Sequence, residues 1–280
     1  MNLENYKLVF SDEFDYEGKV DPEKWNYEVG NFQWPNRELQ AYTDSTKNVL
    51  VKDGKLTITS LKEKDGEREY TSGKINTRLK GQWQYGYIEV RAKVPKGKGS
   101  WPAIWMMPYF ERREVPKGFP VRSDGRPDFE KFTKEDWEKY PRPPKENRWP
   151  ECGEIDIMEH IGRMPNRYLF SLHCGKHNHR RTDTVPYTRG HQFDEGFDDE
   201  FHVFGLDWTK DYIEYYVDGE SYCRYNKADD EDTFEAWPFD REFYLIMNTA
   251  VGGGLGGDVD ESALPYEFVI DYVRVYQEND

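Results

Sequence analysis

The 280-residue chain carries 54 acidic against 39 basic residues, a formal charge of −15, which repels a phosphate backbone and excludes nucleic acid as an expected partner. No run approaches the roughly 18 apolar residues of a membrane span, no signal-peptide core precedes the first strand, and the three cysteines, Cys152, Cys174 and Cys223, form no framework because an odd count leaves at least one unpaired. Aromatic residues make up 16% of the chain, with nine Trp and twenty Tyr, and flat rings with polar edges suit both carbohydrate and an ordinary β-core.

In chain order, a period of two dominates. Asp53-Gly54 before Lys55–Ser60 marks a hairpin-like turn. Tyr87–Val94 alternates polar and apolar residues throughout, the pattern of a strand with one wet face. Further on, Asp218-Gly219 sits between Tyr212–Val217 and Ser221–Tyr225 as a second hairpin signal, and the β-branched and aromatic tail Phe268–Tyr276 reads as a closing strand. Many short strands without a sustained helical period predict one all-β domain over 1–280, a sandwich of two antiparallel sheets.

One stretch departs from this pattern. Pro108 to Pro150 holds eight of the sixteen prolines, many charges and little alternation. Inside it Thr133-Lys134-Glu135-Asp136 resembles a capping box, and Phe129, Phe132, Trp137 and Tyr140 fit one face of a short helix. The insertion is either a tolerated surface excursion or a loop that walls part of a cleft. His177 and His179 lie in the polar stretch Lys176–Arg181 and read as loop residues, with no zinc-ligand spacing around them.

The segment with the strongest chemical content is Gly153-Glu154-Ile155-Asp156-Ile157-Met158-Glu159-His160. Acidic spacing alone is weak, since an acid-x-acid-x-x-acid pattern is expected about twice by chance in so acidic a chain. Here, however, the three carboxylates are threaded between Ile155, Ile157 and Met158 in what otherwise reads as an interior strand. Strict alternation puts Glu154 and Asp156 on one face and sends Glu159 to the other. A β-bulge near Ile157-Met158 adds a residue and returns Glu159 to the face of Glu154. Two Glu side chains leaning together across a concave sheet then approach the gap of about 5–5.5 Å that a configuration-retaining glycosidase uses, rather than the roughly 6.5–9.5 Å of an inverting one. Crowding and partial burial raise at least one pKa, which supplies an acid and a carboxylate at the same pH.

At this segment the chain resembles glycoside hydrolase family 16, in its laminarinase and endo-β-1,3(4)-glucanase branch. The resemblance covers nearly the whole chain: Ser11–Asp15, Asn36–Thr43, Tyr85–Arg91, Trp101–Met106, Ser171–His173, Phe201–Thr209, Met247–Gly253 and Asp271–Tyr276 follow in the family's order. It implies a concanavalin A-like β-jelly roll with a substrate cleft on its concave sheet. Glu154 matches the nucleophile, Glu159 the acid/base and Asp156 the auxiliary acid, with His173 beside the acid/base. Asn36 matches a sugar-binding residue. Trp101 and Trp105, four apart on a strand, make either a stacking platform or core packing, and Arg78 and Asn248 take either a structural or a cleft role. A structural Ca²⁺ on the convex side is implied at Glu13, Gly54 and Asp271. Catalysis needs no cofactor, the partner is a polysaccharide, a β-glucan foremost, and a monomer is expected. The family works outside the cell or in the periplasm, so a chain without a leader either stays inside or is a mature form.

The spacing of the acids departs from the E-x-D-x-E of the branch that includes xyloglucan transglycosylases and agrees with the bulged branch. That branch also includes agarases and endo-β-galactosidases, and the insertion leaves a galactose-containing polymer as the alternative substrate. Two non-enzymatic readings stand beside these, a carbohydrate-binding protein on the same fold and a structural β-sandwich with a chance acid cluster. Neither needs three acids on one strand face.

Overall fold

The computed structural model describes residues 3–109, 119–120, 131–139 and 143–279. Two antiparallel sheets of eight strands pack against each other, with a small parallel pair, Gln40–Tyr42 and Tyr70–Ser72, beside them. The sheet that carries the acidic segment runs from edge to edge as Tyr187–Gln192, Arg167–His173, Glu154–His160, Ser100–Pro108, Phe243–Val251, Lys74–Asn76 and Asn26–Tyr27. Gln82–Trp83 pairs with its Phe243–Val251 strand. The second sheet runs Glu220–Asn226, Tyr212–Val217, His202–Trp208, Gly86–Lys93, Tyr266–Glu278, Lys55–Ser60 and Val49–Lys52, and Tyr6–Asp12 pairs with its Tyr266–Glu278 strand.

The expected jelly-roll sandwich is therefore present, and local chemistry explains its turns. Lys52 faces Lys55 and Val217 faces Glu220, so Asp53-Gly54 and Asp218-Gly219 each fill a two-residue hairpin. All four residues have positive φ, from 51° to 82°, as a type I′ turn requires. Within the strands, alternation sends one row of side chains between the sheets. Ile88, Val90 and Ala92 of the Gly86–Lys93 strand and Ile104 and Met106 of the Ser100–Pro108 strand all lie fully inside. Rings from opposite sheets meet there: Phe204 stacks on Tyr168 at 5.5 Å, and Trp208 meets Phe243 edge-on at 5.4 Å.

The insertion is described only in part. Its capping box is formed as the sequence suggests: a short helix, Lys134–Lys139, begins where Thr133 Oγ1 accepts the Asp136 N–H at 3.2 Å and Asp136 Oδ2 accepts the Thr133 N–H at 2.8 Å. Phe132 packs against Phe119 at 5.6 Å, whereas Phe129, Tyr140 and the side chain of Trp137, expected on the same helix face, lie outside the described residues. All three cysteines are free thiols, as their odd count requires of at least one.

The inter-sheet ring contacts give a direct test of this core. Truncating Phe204 to Ala leaves a cavity against Tyr168, and we expect a loss of about 3–5 kcal/mol of stability. Urea denaturation should show a lower midpoint at an unchanged m-value.

Candidate active site

The acidic strand is irregular at the expected place. Towards the Arg167–His173 strand, Asp156 faces Ser171 and Glu159 faces Leu169, so Ile157 and Met158 together oppose the single residue Phe170. Towards the Ser100–Pro108 strand, Met158 faces Ile104 while Asp156 faces the next residue, Trp105, and Ile157 is skipped. Ile155, Ile157 and Met158 enter the core, and Glu154, Asp156 and Glu159 all line one cavity of about 460 Å³ on the other face. The bulge therefore satisfies two demands: three apolar side chains go inward and three carboxylates go outward from six consecutive residues.

Gly153 sets the entry to this strand. Its φ is +90°, a backbone that favours glycine, and a Cβ there would press on Phe243 Cζ and Pro238 Cγ at 3.1 Å.

The carboxylates sit in distinct surroundings. Trp101 donates from Nε1 to Glu159 Oε1 at 3.0 Å. His173 Nε2 lies 3.2 Å from Asp156 Oδ2 and 3.8 Å from Glu154 Oε1. The first contact lacks hydrogen-bond geometry, since Asp156 Oδ2 is buried without a hydrogen-bond partner. Burial pushes all three acids up to about 8; mutual repulsion adds to this, through Asp156 and Glu159 for Glu154 and through Asp156 for Glu159. His173 works the other way on Glu154 and Glu159. The trio shares its protons, and around pH 8 it holds both an acid and a carboxylate. Glu154, Asp156 and His173 also place one ligand atom each within 4.8 Å of one another.

Around the acids the cleft is aromatic and hydrogen-bonded. Trp101, Ala103, Trp105 and Met107 alternate into it from the Ser100–Pro108 strand. Trp105 donates from Nε1 to Asn248 Oδ1 at 2.7 Å, Asn248 Nδ2 donates to Tyr42 OH at 3.0 Å, and Tyr42 OH donates to Glu38 Oε2 at 3.2 Å. This chain of bonds orients the Trp105 ring from three different parts of the sequence.

The residues matched from the sequence divide between cleft and scaffold. Trp101, Trp105, Asn36 and Asn248 all line the cavity, so the two tryptophans face the cleft and not the core. Arg78 does not line it; its guanidinium covers the Tyr109 ring at 5.7 Å. His173 stands behind Glu154 and Asp156, opposite Glu154 in register, and thus on the side of the first glutamate and not beside Glu159 as expected. The acids matched to calcium are both engaged: Glu13 accepts two bonds from Arg274, at 2.9 and 2.8 Å, and Asp271 pairs with Arg91. Gly54 serves its hairpin. With each carboxylate answering a guanidinium, these side chains do not fit a divalent cation as arranged.

Glu38 and Tyr42, within the matched stretch Asn36–Thr43, line the cleft as well, as does His179, read from the sequence only as a loop residue; Trp34, Lys74, Trp149 and Arg180 were not singled out from the sequence. Lys74 carried a readable signal, as the single charge in the run Thr71-Ser72-Gly73-Lys74-Ile75-Asn76-Thr77. Trp149, at the end of the insertion, lies under the Arg180 guanidinium at 4.4 Å, which favours the cleft-wall reading for that end of the segment. His177 and His179 diverge: His177 is buried against Asp230 and Tyr187, whereas His179 reaches the cavity.

Comparison with known proteins agrees with this geometry. The model of glycosyl hydrolases family 16 matches residues 143–274, and that of the beta-glucan synthesis-associated protein SKN1/KRE6/Sbg1 matches residues 1–125. A beta-glucanase of Rhodothermus marinus is 39% identical over 98% of this chain and 86% of its own. A glucan endo-1,3-beta-glucosidase of Cryptopygus antarcticus is 33% identical over 97% of this chain and 92% of its own. The X-ray structure of the laminarinase from Rhodothermus marinus superposes with a TM-score of 0.80 at 38% identity, covering 98% of each chain.

The raised carboxyls carry a stability consequence. A group whose folded pKa lies above its unfolded value of about 4 binds more protons in the folded state, so its contribution is fully present below that value and is lost as pH rises towards 8. Asp156→Asn removes one such group at nearly constant shape. We expect the variant to melt above the wild type at pH 8 and together with it at pH 4, read by calorimetry across that range.

Proposed function

The chain belongs to glycosyl hydrolases family 16 and is an endo-acting hydrolase of β-1,3- or mixed β-1,3/1,4-glucan; we propose that it cleaves by double displacement on Glu154 and Glu159, with retention of configuration. The observation that carries the residue assignment is the bulge at Ile157-Met158, which brings both glutamates and Asp156 to one cavity.

In this reading a sugar ring bound in the cleft presents its anomeric carbon to Glu154. Glu159 gives its proton to the leaving glycosidic oxygen as the Glu154 carboxylate attacks, which breaks the C–O bond and forms a glycosyl ester. The Trp101 N–H holds Glu159 through Oε1, so Oε2 is the atom assigned to the travelling proton. A water then enters, Glu159 takes its proton, and the resulting hydroxide displaces Glu154 to release the second product. Asp156, buried between the two and close to His173, holds the shared proton that keeps one glutamate ionised while the other stays protonated. Trp105, fixed by Asn248, offers the ring face on which a pyranose stacks.

Action as a monomer and outside the cytoplasm belong to the same proposal. The acid trio and its aromatic walls are complete within a single chain and need no second copy, and a polysaccharide is too large to reach a cytoplasmic enzyme intact.

Product analysis on laminarin, barley mixed-linkage glucan, agarose and a poly-N-acetyllactosamine chain tests the proposal. The wild type should release oligosaccharides from the glucans with the β-anomer formed first, and Glu154→Gln should lose at least about 10³-fold in kcat. Cleavage of the galactose polymers alone would keep the chemistry and overturn the substrate. Products of inverted configuration would overturn the mechanism.

A further inference from the structure

His173 and Asp156 face each other in a way that hydrogen bonding does not explain. His173 Nε2 lies 3.2 Å from Asp156 Oδ2, yet that oxygen is buried and accepts no hydrogen bond, and His173 Nδ1 is buried without a partner as well. The two residues are only 4% and 8% exposed, Asp156 the less. Buried polar atoms left unanswered cost stability, so two of them on facing residues mark a place that a further ligand would complete.

Glu154 closes the set. Its Oε1 lies 3.8 Å from the same Nε2, and the three residues place one ligand atom each within 4.8 Å of one another. A zinc ion that holds nitrogen and oxygen at about 2.0–2.2 Å in a tetrahedron sets its ligands about 3.3–3.6 Å apart. The two measured edges, 3.2 and 3.8 Å, bracket that spacing. Paired strands hold the triangle, since His173 faces Glu154 and Ser171 faces Asp156. The fourth corner is open, because Glu154 and Asp156 both line the cavity and water fits there. Glu159 stays outside the set, beyond the bulge and bonded to Trp101. One imidazole with two carboxylates also selects among cations. Ca²⁺ asks for about six to eight oxygens and Mg²⁺ for an octahedral oxygen shell, whereas this mixture suits Zn²⁺ and its first-row neighbours.

We propose that Glu154, Asp156 and His173 form a binding site for a divalent transition ion of the zinc type, and that the ion inhibits the enzyme by occupying the Glu154 carboxylate. The coordination rests on the distances above; the inhibition rests on the nucleophile role assigned to Glu154. A carboxylate that donates its lone pair to a metal cannot attack an anomeric carbon, so ion and glucan compete for the same oxygen.

Titration calorimetry with Zn²⁺ alone, on the wild type and on Asp156→Asn, His173→Gln, Glu154→Gln and Glu159→Gln, tests the site. The wild type should bind one ion and should give no heat with Mg²⁺. Each variant that removes a ligand should weaken Zn²⁺ binding by at least about tenfold, the lower end of what losing even an indirect partner costs. Glu159→Gln removes the same charge from the same cleft and should bind as the wild type does. No binding by the wild type, unchanged affinity in the ligand variants, or equal weakening in Glu159→Gln would overturn the site. If one ligand variant fails to fold, as circular dichroism would show, the other two decide. On whichever glucan the wild type cleaves, Zn²⁺ should raise KM and leave kcat unchanged, and an unmoved KM would overturn the inhibition. Absence of any wild-type turnover on glucan would instead strike the functional reading and leave calorimetry to judge the site.

Discussion

A pleated strand shows alternate residues to opposite faces, so residues five apart point opposite ways. Glu154 and Glu159 are five apart, and a reaction with one carboxyl on each side of a glycosidic bond cannot use them in a regular strand. The extra residue at Ile157-Met158 removes the conflict. It does so without exposing an apolar side chain, because both bulged residues pack into the core. The cleft depends on this single irregularity: a register without it would turn Glu159 to the core face and leave Trp101 with no acid to hold.

The bulge concentrates charge, and the rest of the site manages that concentration. Three carboxyls crowded into one cleft repel one another, and the fold responds with the Trp101 N–H and a histidine, not with arginines in direct contact. Arginine pairs occur on the other sheet, where Glu13 and Asp271 are neutralised by Arg274 and Arg91. A guanidinium binds a carboxylate through charge-assisted hydrogen bonds, which suits a structural acid and would tie up a catalytic one. The same residue type is thus set to opposite uses on the two sheets by the partner it is given.

Much of this was legible in the sequence, because it rests on short-range rules. Alternation located the strands, Asp53-Gly54 and Asp218-Gly219 marked their turns, and acids among Ile155, Ile157 and Met158 marked the site and even its bulge. What escaped depends on which strands become neighbours. Nothing in the order of residues says that Lys74, Tyr42 and Asn248 meet beside Trp105, since they come from segments joined only by sheet pairing. The place of His173, opposite Glu154 and acting on both glutamates, escaped for the same reason, as it follows from the register of Arg167–His173 against the acidic strand. The acids matched to calcium show the converse: a motif keeps its letters while its carboxylates answer other partners.

Asn248 shows how the site gains rigidity from that pairing. It sits on an inner strand of the sheet that carries the acids, between the strands that carry Ala103 and Lys74. Its amide accepts from Trp105 on one side and donates to Tyr42 on the other, and Tyr42 passes the connection to Glu38 in the loop that also carries Asn36. A residue on a rigid strand therefore couples the stacking ring to the loop wall, and neither can turn without breaking a bond. Such coupling aligns a sugar before reaction, because the ordering has already been done in folding and is not required again at each turnover. An Asp at this position would keep the acceptor for Trp105 but lose the donor to Tyr42, adding a fourth carboxylate to the cleft; an Ala would release both rings. Only an amide, with donor and acceptor on one planar group, meets both demands without adding charge beside the acids.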